Sequence, residues 1–304
     1  PVTKSPLDLF KQCEFLEDHI LGHSSFWTFQ NRYAKMVRRT LGSHSFNQIV
    51  GYQNLSELNG LIEKFSYRVR KEQCLQLPDK VYQKRIVELT DKQKAIYVQM
   101  KKSALAFVET EGMISASTIL TQIIRLQQVC SGFAKLDDGK TIYLTNNKLP
   151  ELMSALEETD GKVIIWANFT YDIESISAKL SDIYGSNTVA SYYGATPNDE
   201  RQKIVETFQD PQSELRFFVG QPRTGGFGLT LTQAHTIIYY SNGYDLEVRL
   251  QSEDRAHRIG QTNKVTYIDI IAEKTIDEKI LVALRNKIDI SSQILAEGYK
   301  EWII

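Results

Sequence analysis

The second half of the chain alternates short, mainly apolar runs with longer stretches that are apolar along one side. The apolar runs are Val163–Trp166, Val189–Tyr192, Phe217–Val219, Thr236–Tyr240 and Val265–Ile271. Tyr171–Tyr184, Asn198–Gln209 and Leu246–His257 lie between them and predict helices, and Lys148–Glu158 predicts another ahead of the first run. Runs with little polar alternation are strands covered on both faces, as in a parallel sheet. Strands that alternate with helices predict a doubly wound α/β domain. Thr196-Pro197 reads as a helix N-cap followed by proline at the first helical position.

The first half has a different pattern. From Pro1 to about Glu88 it is mostly helical, with an apolar stripe begun by Leu7, Phe10, Phe15 and Leu16. Phe26, Trp27 and Phe29 form an aromatic cluster expected in a core. GSHSFNQIVGYQN (42–54) is loop-like, a helix follows over about Leu55–Phe65, and Leu77-Pro78 breaks the helical run. Val81–Leu89 alternates enough for a strand. Thr90 with Gln93 makes a capping box for a helix through Lys102. Ile119, Ile123, Leu126 and Val129 share one side of a helix over about Ser115–Val129. KLDDGKTIYL (135–144) reads as a hairpin with an Asp-Gly turn, and Thr275 with Glu278 as a capping box for a last helix. The expected divisions are a largely helical region (1–88), a helical segment with the hairpin (89–147), the α/β lobe (148–274) and a terminal helix (275–304).

Two stretches carry candidate chemistry. QSEDRAHRIGQ (251–261) places Arg255 and Arg258 one helical turn apart behind Gln251, so both guanidiniums face one target. A pair of permanently charged planar forks suits a polyphosphate whose terminal group is being transferred. The plainer alternative is a surface helix whose Glu253 and Asp254 pair with the arginines. Upstream, FFVGQPRTGGFGLTLTQAHTIIYY (217–240) reads as strand, glycine-rich loop, short helix and strand. Gly225, Gly226 and Gly228 remove side chains where backbone N–H groups could meet a phosphate, and ligands of such sheets sit at the carboxyl ends of strands. A dinucleotide fingerprint is disfavoured, because Leu231 stands at its third glycine position. The glycine loop and the arginine helix are expected at the same edge of the sheet.

Composition narrows the picture. At 304 residues the chain is long enough for two domains, and no apolar run approaches a membrane span. Cys13, Cys74 and Cys130 lack metal-ligand spacing and suit reduced core thiols of a cytoplasmic protein, or of a nuclear one if the source is eukaryotic. Net charge is −1, but Leu61–Lys102 holds eleven Lys/Arg against five Asp/Glu. A basic segment on a neutral protein still forms an electrostatic footprint; a solvated helical face is the alternative.

Taken together, residues 217–240 and 251–261 resemble motifs V and VI of the SWI/SNF-type family of helicase-like, ATP-driven double-stranded DNA translocases. KVIIWANF (162–169) resembles its motif IV strand, YYGATPNDERQKIVETF (192–208) the segment that follows, and KTIDEKI (274–280) the start of its C-terminal brace helix. PVTKSPLDLF (1–10) resembles the end of motif III, and LIEKFSYRVRKEQCLQLPDK (61–80), VELTDKQKAIY (87–97) and RLQQVCSGF (125–133) the helical region between motifs III and IV. The resemblance implies a RecA-like second motor lobe. It implies ATP and magnesium bound between two lobes, with Arg255 and Arg258 reaching the triphosphate and Gln251 coupling nucleotide state to lobe closure. It also implies nucleotide contacts from Gly226, Gly228 and Asp254. DNA-backbone contacts would come from Arg223, Thr224, Gly225, Tyr193, Gly194 and Asn168.

The chain departs from the family at Ser241-Asn242-Gly243-Tyr244, where Trp-Asn-Pro is usual, and at Thr230, where Asn commonly follows Gly-Leu. These changes look like those of small viral and bacterial members. A larger departure is the lack of a G-x-x-x-x-G-K-[ST] phosphate loop. The sole Gly-Lys-Thr, Gly139-Lys140-Thr141, has Ala134 where the first glycine belongs. The expectation is the back half of a motor that hydrolyses no ATP alone, its partners being duplex DNA and the first RecA-like lobe of the same protein. The alternatives are a non-catalytic module that binds nucleic acid or a partner, and a strand-separating helicase lobe.

Overall fold

The structure, a computed structural model, describes residues 5–41, 44–67, 74–111, 116–136, 138–225 and 228–286. The chain divides into two compact units, Pro1–Leu75 and Gln76–Ile304.

The first unit contains α1 (Asp8–Leu16), α2 (Phe26–Tyr33), β1 (Ala34–Leu41), β2 (His44–Tyr52) and α3 (Leu55–Ile62). Leu7, Phe10 and Cys13 recur every three residues and turn one face of α1 onto Phe29, Tyr33 and Leu58. Phe15 lies off that face and is 88% exposed, and Leu16 and Trp27 are also exposed, so neither the stripe nor the aromatic cluster is wholly core. The loop expected over 42–54 is instead largely β2, paired antiparallel with β1. Its Ser, Asn, Gln and Gly composition mimics a loop because Phe46 and Val50 stay exposed; the backbone ladder, rather than burial, makes it a strand. The Tyr33 hydroxyl donates to Glu57 Oε1 (3.0 Å), which also pairs with Arg32 and ties α3 to α2.

The second unit is built on a parallel sheet of six described strands in the order β3-β10-β9-β6-β8-β7. They are β3 (Lys80–Val87), β6 (Lys162–Trp166), β7 (Val189–Tyr192), β8 (Phe217–Gly220), β9 (Ala234–Tyr239) and β10 (Val265–Ala272); the hairpin is β4 (Phe133–Lys135) and β5 (Thr141–Tyr143). The helices are α4 (Asp91–Glu111), α5 (Ala116–Ser131), α6 (Lys148–Glu157), α7 (Thr170–Tyr184), α8 (Asn198–Gln209), α9 (Pro222–Gly225), α10 (Leu246–Glu253) and α11 (Ile276–Arg285). Within the buried runs, alternate residues serve different cores. Val163, Ile165, Phe217, Val219 and Ile238 pack with α5, α6, α7 and α11. Ile164, Trp166, Phe218, Ile237 and Tyr239 pack with Phe208 of α8 and Ala256. That is the doubly wound α/β arrangement.

Position 88 does not bound the lobe. β3 pairs with β10 along its whole length, from Lys80↔Val265 to Val87↔Ala272. The buried strand β10 requires a neighbour on both sides, and the chain supplies it from far upstream. Three local expectations also change. Pro197 occupies the N-cap of α8, while Thr196 Oγ1 accepts from Tyr193 N and donates to Ser191 O, tying a turn rather than capping. Thr275 caps α11 through Asp277 N without a box from Glu278; Asp277 turns inward to a buried pair with Lys148 at 2.5 Å. Cys74 is exposed, unlike Cys13 and Cys130. The Thr90–Gln93 box forms as expected, each residue's N–H reaching the other's side chain.

Candidate functional site

α10 starts at Asp245, whose carboxylate accepts from Val248 N, and ends at Glu253. The expected helix to His257 is thus four residues too long. Arg255 and Arg258 lie in the turn beyond it, not on a helical face. They still converge, because both donate to one carbonyl: Arg255 Nη1 to Leu229 O at 3.1 Å and Arg258 Nη1 to the same oxygen at 3.4 Å. Arg255 Nε is fixed by Gln251 O at 3.0 Å. Burial, and then the like charge of Arg258, hold the Arg255 guanidinium below the usual arginine range. Two cations on one carbonyl form a site an anion would relieve, and Arg258 is exposed to meet it. Gln251 donates Nε2 to Glu247, while its buried Oε1 has no hydrogen-bond partner among the described residues. Asp254 sits 3.6 Å from Lys80 Nζ and so faces β3.

The glycine loop ends at this point. Gly226 lies outside the described residues. Gly228 takes φ +74° in open space, a conformation that favours glycine. Gly225 has a different role from a backbone contact: a Cβ there would stand 2.7 Å from Trp166 Cη2, so its missing side chain admits the indole.

The other sequence-predicted residues gather at the carboxyl ends of the strands. Asn168 follows β6, its N–H donating to Ser241 Oγ (2.8 Å) and its carbonyl accepting from Gln221 Nε2 (3.1 Å). Tyr193 and Gly194 follow β7 in a turn whose carbonyls accept from Arg201. Arg223 and Thr224 follow β8. Arg223 is exposed and 3.3 Å from Asp245, and Thr224 Oγ1 donates to Gln221 Oε1 (3.2 Å). Asn168 and Arg223, with Asn242, Tyr244 and Asp245, line a shallow cavity there.

The expected single edge is therefore corrected. α10 runs back along β9, so the arginine turn comes to the amino ends, where Gln261 Nε2 donates to Ala234 O and β10 begins. Gly225 remains beside Trp166 and Tyr192 at the carboxyl ends. The loop spans the two places, and its tail from Gly228 to Leu229 meets the arginines.

Two buried polar groups escaped the sequence reading. Arg249 lies over the Tyr239 ring and joins Asp269 at 2.5 Å, Glu253 at 2.9 Å and Asn242 at 2.6 Å; Arg285 also pairs with Asp269. A lone Asp inside the apolar run VTYIDIIA was the available signal, since a buried charge demands a partner. Asp172 accepts from Ser131 and Ser241, and burial pushes its carboxyl up to about 7. Among the described residues no cluster of three or more His, Cys, Asp or Glu could hold a metal ion; the Arg255 and Arg258 guanidiniums are donors that suit phosphate oxygens. No described helix is long and apolar enough to cross a membrane.

Residues 1–133 match the SNF2-related domain and residues 145–260 the helicase conserved C-terminal domain. The chain is 27% identical, over 76% of its length, to chromatin structure-remodeling complex subunit snf21 of Schizosaccharomyces pombe, and covers 20% of that protein. It is 28% identical, over its whole length, to Bacillus subtilis YwqA, named as an ATP-dependent helicase/translocase, and covers 32% of it. The chain thus spans a third or less of the length of these relatives. Among solved structures, the Sulfolobus solfataricus SWI2/SNF2 ATPase core in complex with dsDNA matches 96% of this chain and 60% of its own, at TM-score 0.56 and 24% identity. The C-terminal part of the Fun30 ATPase domain matches 75% of this chain and 97% of its own, at TM-score 0.58 and 18% identity. With one domain signature on each side of the hairpin and a RecA-like sheet beneath the second, the chain belongs to the SWI/SNF-type, SNF2-related family of helicase-like ATPases.

Proposed function

We propose that this chain carries the second motor lobe of an ATP-dependent double-stranded DNA translocase. In this reading a first RecA-like lobe of the same protein, with residues 1–75 as its tail, supplies the phosphate loop and the magnesium ligands. The observation that carries the reading is the meeting of Arg255 and Arg258 on Leu229 O, at the tail of the glycine loop. ATP takes the place of that shared carbonyl as the arginines' partner when the lobes close. The two forks then meet the charge that spreads over the transferring phosphoryl group. Gln251, with its buried Oε1 free, reports nucleotide state to α10; Gly226, Gly228 and Asp254 complete the nucleotide side.

Asn168, Tyr193, Gly194, Arg223 and Thr224 form the DNA side at the carboxyl ends. Contacts with the phosphate backbone position a protein without reading sequence, as suits a motor that travels along any duplex. Such a protein works in the bacterial cytoplasm or the eukaryotic nucleus. The test is DNA-stimulated phosphate release by the full-length, two-lobed protein carrying Arg258→Ala, alongside duplex binding. Loss of turnover with binding retained is expected. Unchanged turnover would make the arginines surface groups with no part in the reaction.

A further inference from the structure

The backbone of the arginine turn is held by isolated bonds, Arg255 N to Ser252 O at 3.3 Å and Arg258 N to Ala256 O at 3.1 Å, which do not orient its two mutually repelling side chains. Something outside it must fix where Arg258 points. α10 ends on Glu253, two residues before Arg255, and this side chain is 5% exposed. Its Oε1 accepts from Arg249 Nε at 2.9 Å. Its Oε2 accepts from Lys80 Nζ at 3.1 Å and from the Tyr82 hydroxyl at 2.7 Å. The Glu253 carbonyl accepts from the Tyr267 hydroxyl at 2.9 Å. Beyond it, Lys80 Nζ stands 3.6 Å from Asp254, and His257 Nε2 lies 2.7 Å from Pro78 O. Residues 253, 254 and 257 of the turn are thus tied to one short stretch, Pro78–Tyr82, which opens the edge strand β3.

We propose that Glu253, gripped by Lys80 and Tyr82, is a positioning residue for Arg255 and Arg258, so that the edge strand β3 sets the arginines' aim without touching the nucleotide. The inference rests on the reading that these arginines meet the triphosphate. A buried carboxylate held on both oxygens is a stiff anchor, since leaving either oxygen unpaired carries a desolvation cost. A turn so anchored keeps its shape when the bridging carbonyl is exchanged for phosphate.

The experiment uses the full-length, two-lobed protein with Tyr82→Phe, and with Tyr82→Phe combined with Lys80→Met. The first keeps the ring stacked on Tyr267, 5.2 Å between centroids, so it removes little beyond the hydroxyl. Displacing a catalytic group by about 1 Å costs up to about a hundredfold in rate. The expected result is a kcat for DNA-stimulated ATP turnover lowered about tenfold or more in the double variant and less in Tyr82→Phe, with KM for ATP and duplex affinity held within about twofold. Adding the double change to a protein that already carries Arg255→Ala with Arg258→Ala should cost nothing further, because the clamp acts through the two arginines; a merely structural role would lower kcat in both backgrounds. Wild-type kcat in the clamp variants, beside a lost kcat in Arg258→Ala, overturns the clamp alone. Wild-type kcat in Arg258→Ala overturns the arginine reading and the clamp with it.

Discussion

The two ends of the lobe's sheet are built in opposite ways. At the carboxyl ends, Asn168, Tyr193, Gly194 and Thr224 are placed by short bonds to neighbouring loops, to Ser241, Thr196, Arg201 and Gln221. At the amino ends, Arg255 and Arg258 hang from a turn that follows a buried carboxylate, Glu253, held by Lys80 and Tyr82 from 173 and 171 residues away in sequence. The first arrangement suits a surface that meets a uniform backbone, where small displacements matter little. The second suits a group that must meet charge at one place, where position is most of the effect. The glycine loop joins the two.

The strongest test of this contrast is at the arginines. In the full-length protein Arg258→Ala should lower DNA-stimulated turnover by about 10³ or more, and Arg258→Lys should recover little, because a point charge does not replace a planar fork. Arg255→Ala should be similar or slightly milder. Steady-state phosphate release measures all three, and full rescue by lysine would show that charge without geometry suffices.

Next in size is the anchor beneath them. Asp269→Ala leaves Arg249 buried without its main carboxylate, and breaking such a pair costs about 3–5 kcal/mol. Chemical denaturation of the purified chain should show a loss of that order, and a loss below about 1 kcal/mol would mean that the network is solvated.

The carboxyl side has its own buried acid, and there pH is the probe. Asp172 lies beneath Ser241, which holds Asn168. Its carboxyl is raised to about 7 from an ordinary 3.8 by burial. The folded form therefore keeps a proton that the unfolded chain releases. This contribution to stability is complete below about pH 4 and is lost as pH rises to about 7. Asp172→Asn, which carries no charge, should flatten that slope and be the more stable protein at pH 8. A wild-type slope in the variant would assign it to another group.

The smallest effect belongs to the exposed side of the comparison. Arg223→Glu should weaken duplex binding several-fold, equally for all sequences, and lower the salt slope by about one contact. Fluorescence anisotropy at two salt concentrations reads both. Arg85 will contribute less to binding than its place in the basic segment suggests, since it already pairs with Glu158 and lies 3.7 Å from Glu151. A sequence-selective loss in Arg223→Glu would turn the carboxyl side into a reader of bases.

The sequence by itself determined the doubly wound lobe, since apolar runs such as KVIIW and FFVG can be satisfied only between two covered faces. It also put Arg255 and Arg258 close together, although they meet on Leu229 O from a turn and not from the helical face that their spacing predicts. Tertiary structure decided what local spacing cannot encode. β2 is a strand through pairing with β1 despite its loop-like composition. β3 completes a sheet whose other strands lie at least 75 residues downstream. The helix before the arginines stops at Glu253, and that carboxylate is taken up by Lys80 and Tyr82. Gly225, read as a phosphate contact, yields its space to Trp166. Hydrophobic period and turn chemistry act within a few residues and are legible in sequence. The pairing of buried charges and the fit of a glycine against an indole depend on which distant segments the fold brings together.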